Sequence, residues 1–173
     1  MKNKKLHRVI YASLFAAIIC VVTLFPQIPA PATGGYIHAG DAVVLVSAWL
    51  FGPLYGTLAA ALGSFLADVF SGYVVYAPAT LIIKALVALC AVGTVRFAKR
   101  LIKSKSLCYV ISAVIAELVM VLGYFLYELW LYGGGAVAAI PANLVQGGFA
   151  AVTGVLIIRF LVNNKTVKDF ISR

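Results

Sequence analysis

From Val9 to Leu161 the chain is a succession of apolar runs, over residues 9–25, 41–70, 76–97, 107–131 and 136–161. A bilayer core of about 30 Å takes about 20 apolar residues as an α-helix. Most of these runs match that length, and the second exceeds it. Composition agrees: 64% of the 173 residues are hydrophobic, 11% are charged, and mean hydropathy is +1.05. A soluble domain is about 45–50% apolar and about 25% charged. Too few polar residues remain to coat a fold of this size in water, so lipid is its main solvent.

The dipeptide Gly52-Pro53 sets the number of crossings. If residues 41–70 formed one kinked helix, there would be five, and the basic cluster Arg96–Lys105 would lie opposite the basic N-terminus. If Gly52-Pro53 is a turn between two helices, there are six. Lys2, Lys4, Lys5 and Arg8, then Arg96 to Lys105, then Arg159, Lys165, Lys168 and Arg173 then share one face. Basic residues gather on the cytoplasmic side of short loops. The expectation is therefore an all-α integral membrane protein, one domain over 1–173, with six transmembrane helices and both termini cytoplasmic. Its spans are 8–25, 40–51, 54–70, 76–97, 107–131 and 136–161, and its expected location is the bacterial cytoplasmic membrane. The net charge of +9 is spread over these flanks, which speaks against nucleic acid.

The basic start and Pro29-Ala30-Pro31-Ala32 mimic a secretory signal. The first apolar run is too long for one and the prolines crowd the cleavage site, so it reads as a retained span. Residues 27–40 hold Pro29, Pro31 and Gly34-Gly35 and read as an ordered loop.

An ionisable side chain within the bilayer costs about 2.5–3.5 kcal/mol at a helix centre and marks a functional site by default. Asp41, Asp68, Lys84 and Glu128 fall in the outer half of their spans, and Glu117 falls deeper. Glu117, Tyr124 and Glu128 recur at i, i+7 and i+11, on one helix face. Asn143 and Gln146 make a polar strip on the last helix, and Tyr36, His38, Tyr76 and Tyr127 stand near the same outer level. Boundary aromatics also form interfacial belts, and single acids cap helices or form structural pairs. Together, though, these residues predict a polar pocket open to the outside. Lys84 is too deep to reach the interface and needs a partner. We expect Lys84 and Glu128 to orient a ligand's polar edges, and Tyr124 or Tyr127 to cover its ring.

Enzyme chemistry is not expected. There is no G-x-x-x-x-G-K-[ST] phosphate loop, no H-E-x-x-H and no G-x-S-x-G. His7 and His38 are the only imidazoles, and Cys20, Cys90 and Cys108 have no ligand spacing. No cofactor and no metal are expected. Small residues recur at i, i+4 in Ala12/Ala16 and in Ala59/Gly63/Ala67, a pattern that lets helices approach closely, within a chain or between chains.

The order of the motifs G35-YIHAG-D41, F51-GPLY-G56, G63-SFLA-D68, Y76-APATLII-K84, G123-YFLY-E128 and P141-ANLVQ-G147 resembles the S components of energy-coupling factor (ECF) vitamin transporters. The resemblance spans nearly the whole chain and extends to the riboflavin, hydroxymethylpyrimidine and pyridoxine subgroup. It implies a six-helix subunit that binds a vitamin or precursor from outside. A transmembrane scaffold (T) subunit and two ABC ATPases would supply the energy. It also implies that Ala12 and Ala16 contact the scaffold and that the loop 27–40 covers the ligand. Two carboxylates, a lysine and several tyrosines suit pyridoxine or hydroxymethylpyrimidine, with riboflavin also open. Other readings of the residues are a stand-alone proton-coupled carrier or channel, or a structural subunit without ligand.

Overall fold

The computed structural model of the chain describes residues 2–30 and 35–164. In order it contains α1 (Lys2–Leu24), β1 (Ile28–Ala30), β2 (Gly35–Ile37), α2 (Gly40–Phe70), α3 (Ala77–Leu101), α4 (Lys105–Tyr132), a 3-10 segment (Gly133–Ala139) and α5 (Ile140–Asn163). Four stretches are long and apolar enough to cross a membrane: Lys5–Leu24, Gly40–Phe70, Ala77–Leu101 and Lys105–Asn163, the last holding both α4 and α5. Pro31 and Gly34 of the expected loop, and Lys165, Lys168 and Arg173 of the last basic cluster, lie outside the described residues.

Side-chain size is sorted for lipid. Alanines such as Ala60, Ala88, Ala113, Ala116 and Ala150 are completely buried, while Leu58, Ile82, Leu118, Leu122 and Phe160 face outward. In water that outer surface would be a large aggregation-prone patch. In a bilayer, small residues between helices give close packing and large ones meet acyl chains.

The helix α2 is broken where the sequence demands it. Gly52 has φ +75° and ψ −165°, a left-handed conformation that favours glycine. Pro53 then opens the second arm, where its missing N–H costs nothing. The arms, 40–51 and 53–70, fold back on each other. Ser47 Oγ donates to Val44 O (2.9 Å) and lies 3.4 Å from Gly56 O, and a Cβ on Gly56 would stand 2.6 Å from Ser47 O. Nine residues of straight helix would separate them by about 13 Å. The turn also lies at the basic end of the bundle, since a Cβ on Gly52 would be 3.5 Å from Arg96 Nη2.

The helix α1 packs on the second arm of α2 through small residues from both ridges. A Cβ on Gly63 would stand 2.5 Å from Ala16 O, and Ala12 is buried at 8% exposure. The Ala12/Ala16 ridge expected to meet a partner is thus engaged within the chain, while Ser13 and Ala17 beside it are exposed.

Helix ends follow local chemistry. Pro78 and Pro141 occupy the first turns of α3 and α5, and Ser104 Oγ accepts from Leu107 N–H at the start of α4. Beyond the all-α expectation, the loop carries a short antiparallel hairpin pairing Ile28 with Ile37, Pro29 with Tyr36 and Ala30 with Gly35.

Candidate functional site

A cavity lies between the hairpin, the second arm of α2, and the starts or ends of α3, α4 and α5 that face it. Its walls include Tyr36 and His38 from the loop, Asp68 from α2, Tyr76 and Thr80 at the start of α3, Tyr124 and Glu128 from α4, and Asn143 and Gln146 from α5. Eight of the expected site residues therefore meet around one space. Polarity is placed by helix register: Tyr76, Thr80 and Lys84 follow at i, i+4 and i+8 on α3, and Tyr124 and Glu128 are one turn apart on α4.

The loop is latched over this space by two polar contacts. Tyr36 Oη donates to Asp68 Oδ1 at 2.6 Å, and His38 N–H donates to Gln146 Oε1 at 3.0 Å. The Tyr36 ring also packs on Tyr73 (4.5 Å between centroids) and His38 (5.3 Å). Burial and the adjacent Asp68 carboxylate hold the Tyr36 hydroxyl above the usual phenol range, so it remains a donor. His38 Nδ1 accepts from Gly40 N–H at 3.1 Å. Burial, with Lys84 acting in the same sense and Asp41 opposing, lowers the His38 pKa to about 4, which keeps the ring neutral.

Below the latch a buried chain of polar groups continues inward. Gln146 Nε2 donates to Asp41 Oδ2 (2.7 Å), and Asp41 Oδ1 meets Lys84 Nζ at 2.6 Å, with both side chains fully buried. Lys84 Nζ also lies 5.1 Å from the Tyr124 ring centroid. The partner that Lys84 requires is therefore Asp41. Neither Asp41 nor Lys84 lines the cavity, and their contact with it runs through Gln146 and Tyr124.

The remaining wall groups are held by one another. Tyr76 Oη donates to Glu128 Oε1 (3.2 Å), and the Thr80 and Tyr124 hydroxyls are 2.9 Å apart. Asp68 Oδ2 is buried and takes no hydrogen bond among the described residues. Of the two tyrosines expected over a ligand ring, Tyr124 lines the cavity. Tyr127 lies outside it, donating to the Val75 carbonyl and packing edge-on against Tyr76. Thr80 was not anticipated, although its place midway between Tyr76 and Lys84 on one face was the available signal. Ala139 and Ala142 also line the space, and nothing in their chemistry sets them apart in the sequence. The free volume is about 40 Å³, room for about three waters. Among the described residues no three His, Cys, Asp or Glu side chains gather as a metal site.

Three comparisons bear on this geometry. A family model described as "ECF-type riboflavin transporter, S component" matches residues 3–163. A Pyrococcus woesei protein, described as an uncharacterised protein in the gap 3′ region, is 39% identical over 144 residues, covering 80% of this chain and 88% of its own. A solved structure titled "Structure and mechanism of the S component of a bacterial ECF transporter" superposes with TM-score 0.70 at 27% identity, over 94% of this chain and 98% of that one. With its cavity covered by a hairpin and walled by long apolar helices, the chain belongs to the S-component family of ECF-type riboflavin transporters.

Proposed function

We propose that this chain is the high-affinity substrate-binding subunit of an ECF-type ABC importer. It would capture a small vitamin or vitamin precursor at the outer face of the cytoplasmic membrane and depend on a T subunit and two ABC ATPases for transport. In this reading the chain crosses the membrane six times with both ends cytoplasmic. The Gly52-Pro53 turn, the end of α3 and the start of α4 then share the basic side, and the cavity faces outward.

One observation carries the ligand class. Asp68 Oδ2 is a buried acceptor that takes no hydrogen bond among the described residues, in a wall that also holds Glu128, Asn143 and Gln146. Leaving such a group unpaired costs about 1–3 kcal/mol, which a ligand O–H or N–H removes. The reading is a small heteroaromatic with several donors, stacked near Tyr124. A single ring such as pyridoxine or hydroxymethylpyrimidine is the favoured ligand on the few polar groups beside Tyr124. The free volume of about 40 Å³ is smaller than such a ring, so the Tyr36–Asp68 and His38–Gln146 latch must open to admit it. The family match over residues 3–163 favours riboflavin as the second reading, and its three rings demand a wider opening.

Mass spectrometry of small molecules carried through purification, together with uptake in cells with and without the T subunit and ATPases, tests this function. A retained vitamin and uptake only with all partners support it. Uptake by the chain alone would make it a self-sufficient carrier.

A further inference from the structure

A second cavity lies on the lipid side of the molecule, between α4 and α5, and shares no residue with the first. Its volume is about 170 Å³, and Val114, Leu118 and Leu144 form apolar walls around Gly147 and Gly148. An apolar cavity of about 150 Å³ admits a benzene ring. One wall residue is out of keeping with the rest. Glu117 is only 4% exposed, and neither carboxyl oxygen makes a hydrogen bond among the described residues. Its Oε2 would lie 3.4 Å from a Cβ on Gly147, so the carboxyl is turned toward the groove floor.

Depth narrows what can satisfy it. Glu117 is twelve residues into α4, about 18 Å along the helix from Lys105, near the middle of a bilayer core of about 30 Å. Acyl chains carry no donor, headgroups do not reach the midplane, and the hydrocarbon holds no water to solvate the carboxyl. A buried polar group left this way is costly. Both carboxyl oxygens are covered, and a donor reaches them by a small shift of the Glu117 side chain past Gly147, where no Cβ stands in the way.

We propose that this groove is a second binding site, entered from the lipid, for a ring-sized apolar molecule carrying one O–H or N–H donor that docks on Glu117. The ring fills the space between Leu118 and Leu144, and the donor meets the carboxyl. The inference does not rest on the vitamin reading of the outer cavity.

The test uses the full chain in lipid nanodiscs, with empty nanodiscs of the same lipid as the partition control. The probes are 4-fluorobenzyl alcohol and 4-fluoroethylbenzene, matched in size and differing in the donor, followed by fluorine NMR. Saturable broadening by the chain is expected for the alcohol, with affinity at least about tenfold better than for the hydrocarbon, the worth of one hydrogen bond. Gly148→Leu should abolish it. No heavy atom lies within 4 Å of an added Cβ there, so the variant should unfold at the wild-type temperature. Ala151→Leu is a second block of the same groove. Equal responses to the two probes would mean that lipid-like partition alone fills the groove, and an alcohol signal that survives both blocks would put the molecule elsewhere. Either result, or no saturable signal from the wild-type chain, overturns the proposal.

Discussion

Lys84 Nζ stands 2.6 Å from Asp41 Oδ1, and both side chains are sealed from solvent. Through Asp41 Oδ2 and Gln146 the pair is tied to the backbone of His38 in the loop. The pair is a linkage between membrane interior and loop, placed behind the cavity wall. Removing one partner strands the other charge, which typically costs about 3–5 kcal/mol. Lys84→Met and Asp41→Asn should each lower the unfolding temperature sharply, and the double variant should recover much of the loss. Thermal unfolding of the purified chain checks this, and additive losses would mean that the two residues are not coupled.

Loop closure should depend on pH through His38. Its pKa is about 4 with the loop closed, against 6.5 for an open imidazole. A base with a lowered folded pKa contributes its full stability above the open-state value. That contribution is lost as pH falls from 6.5 toward 4, because protonation at Nδ1 replaces the acceptor used by Gly40 N–H. Vitamin affinity should be flat above pH 7 and weaken below 6.5, with His38→Gln removing the part of the decline that His38 causes. The Tyr36 hydroxyl, raised in pKa, stays protonated throughout. Identical profiles for the two proteins would contradict this role.

Topology is checked by labelling single cysteines after Cys20, Cys90 and Cys108 are replaced. Cysteines near positions 33, 74 and 134 should react with an impermeant reagent from outside, and cysteines near 54 and 103 should not. Labelling at 103 would invert the account of the basic clusters.

Substitutions along α1 should divide by face. Ala12→Leu places bulk in a packed interface and should destabilise the isolated chain by about 1–3 kcal/mol. Ser13→Leu and Ala17→Leu sit on the exposed side and should leave stability and vitamin binding unchanged. If α1 meets the scaffold there, uptake falls in these two variants alone. Unchanged uptake would move the contact to another helix.

The frame of the fold was legible because bilayer constraints are coarse. Apolar length fixed the helices, and Gly52-Pro53 marked the reversal in α2. The hairpin was hidden, since Ile28–Ala30 is three residues long with Pro29 at its centre and reads as loop by any local pattern. Depth along each helix brought eight of the site residues to one level. Pairing was not legible: Lys84 needed an acid, but choosing Asp41 over Asp68 or Glu128 depends on how the first arm of α2 packs on α3. Thr80 escaped because a threonine in a membrane helix can satisfy its hydroxyl locally. The Ala12/Ala16 ridge carried a real packing signal, and its direction, toward Gly63, was set by tertiary structure.

In the proposed function, one small donor-bearing ring molecule binds in the cavity under the hairpin of the isolated chain. Calorimetric titration of the purified protein with pyridoxine, hydroxymethylpyrimidine and riboflavin tests it most directly. Saturable one-to-one binding of one of them is expected. That affinity should weaken at least about tenfold, or 1.4 kcal/mol, in Asn143→Ala and Glu128→Gln, with unfolding temperatures in the absence of ligand little changed. Folded protein that binds none of the three, or binds one with undiminished affinity in both variants, would contradict it.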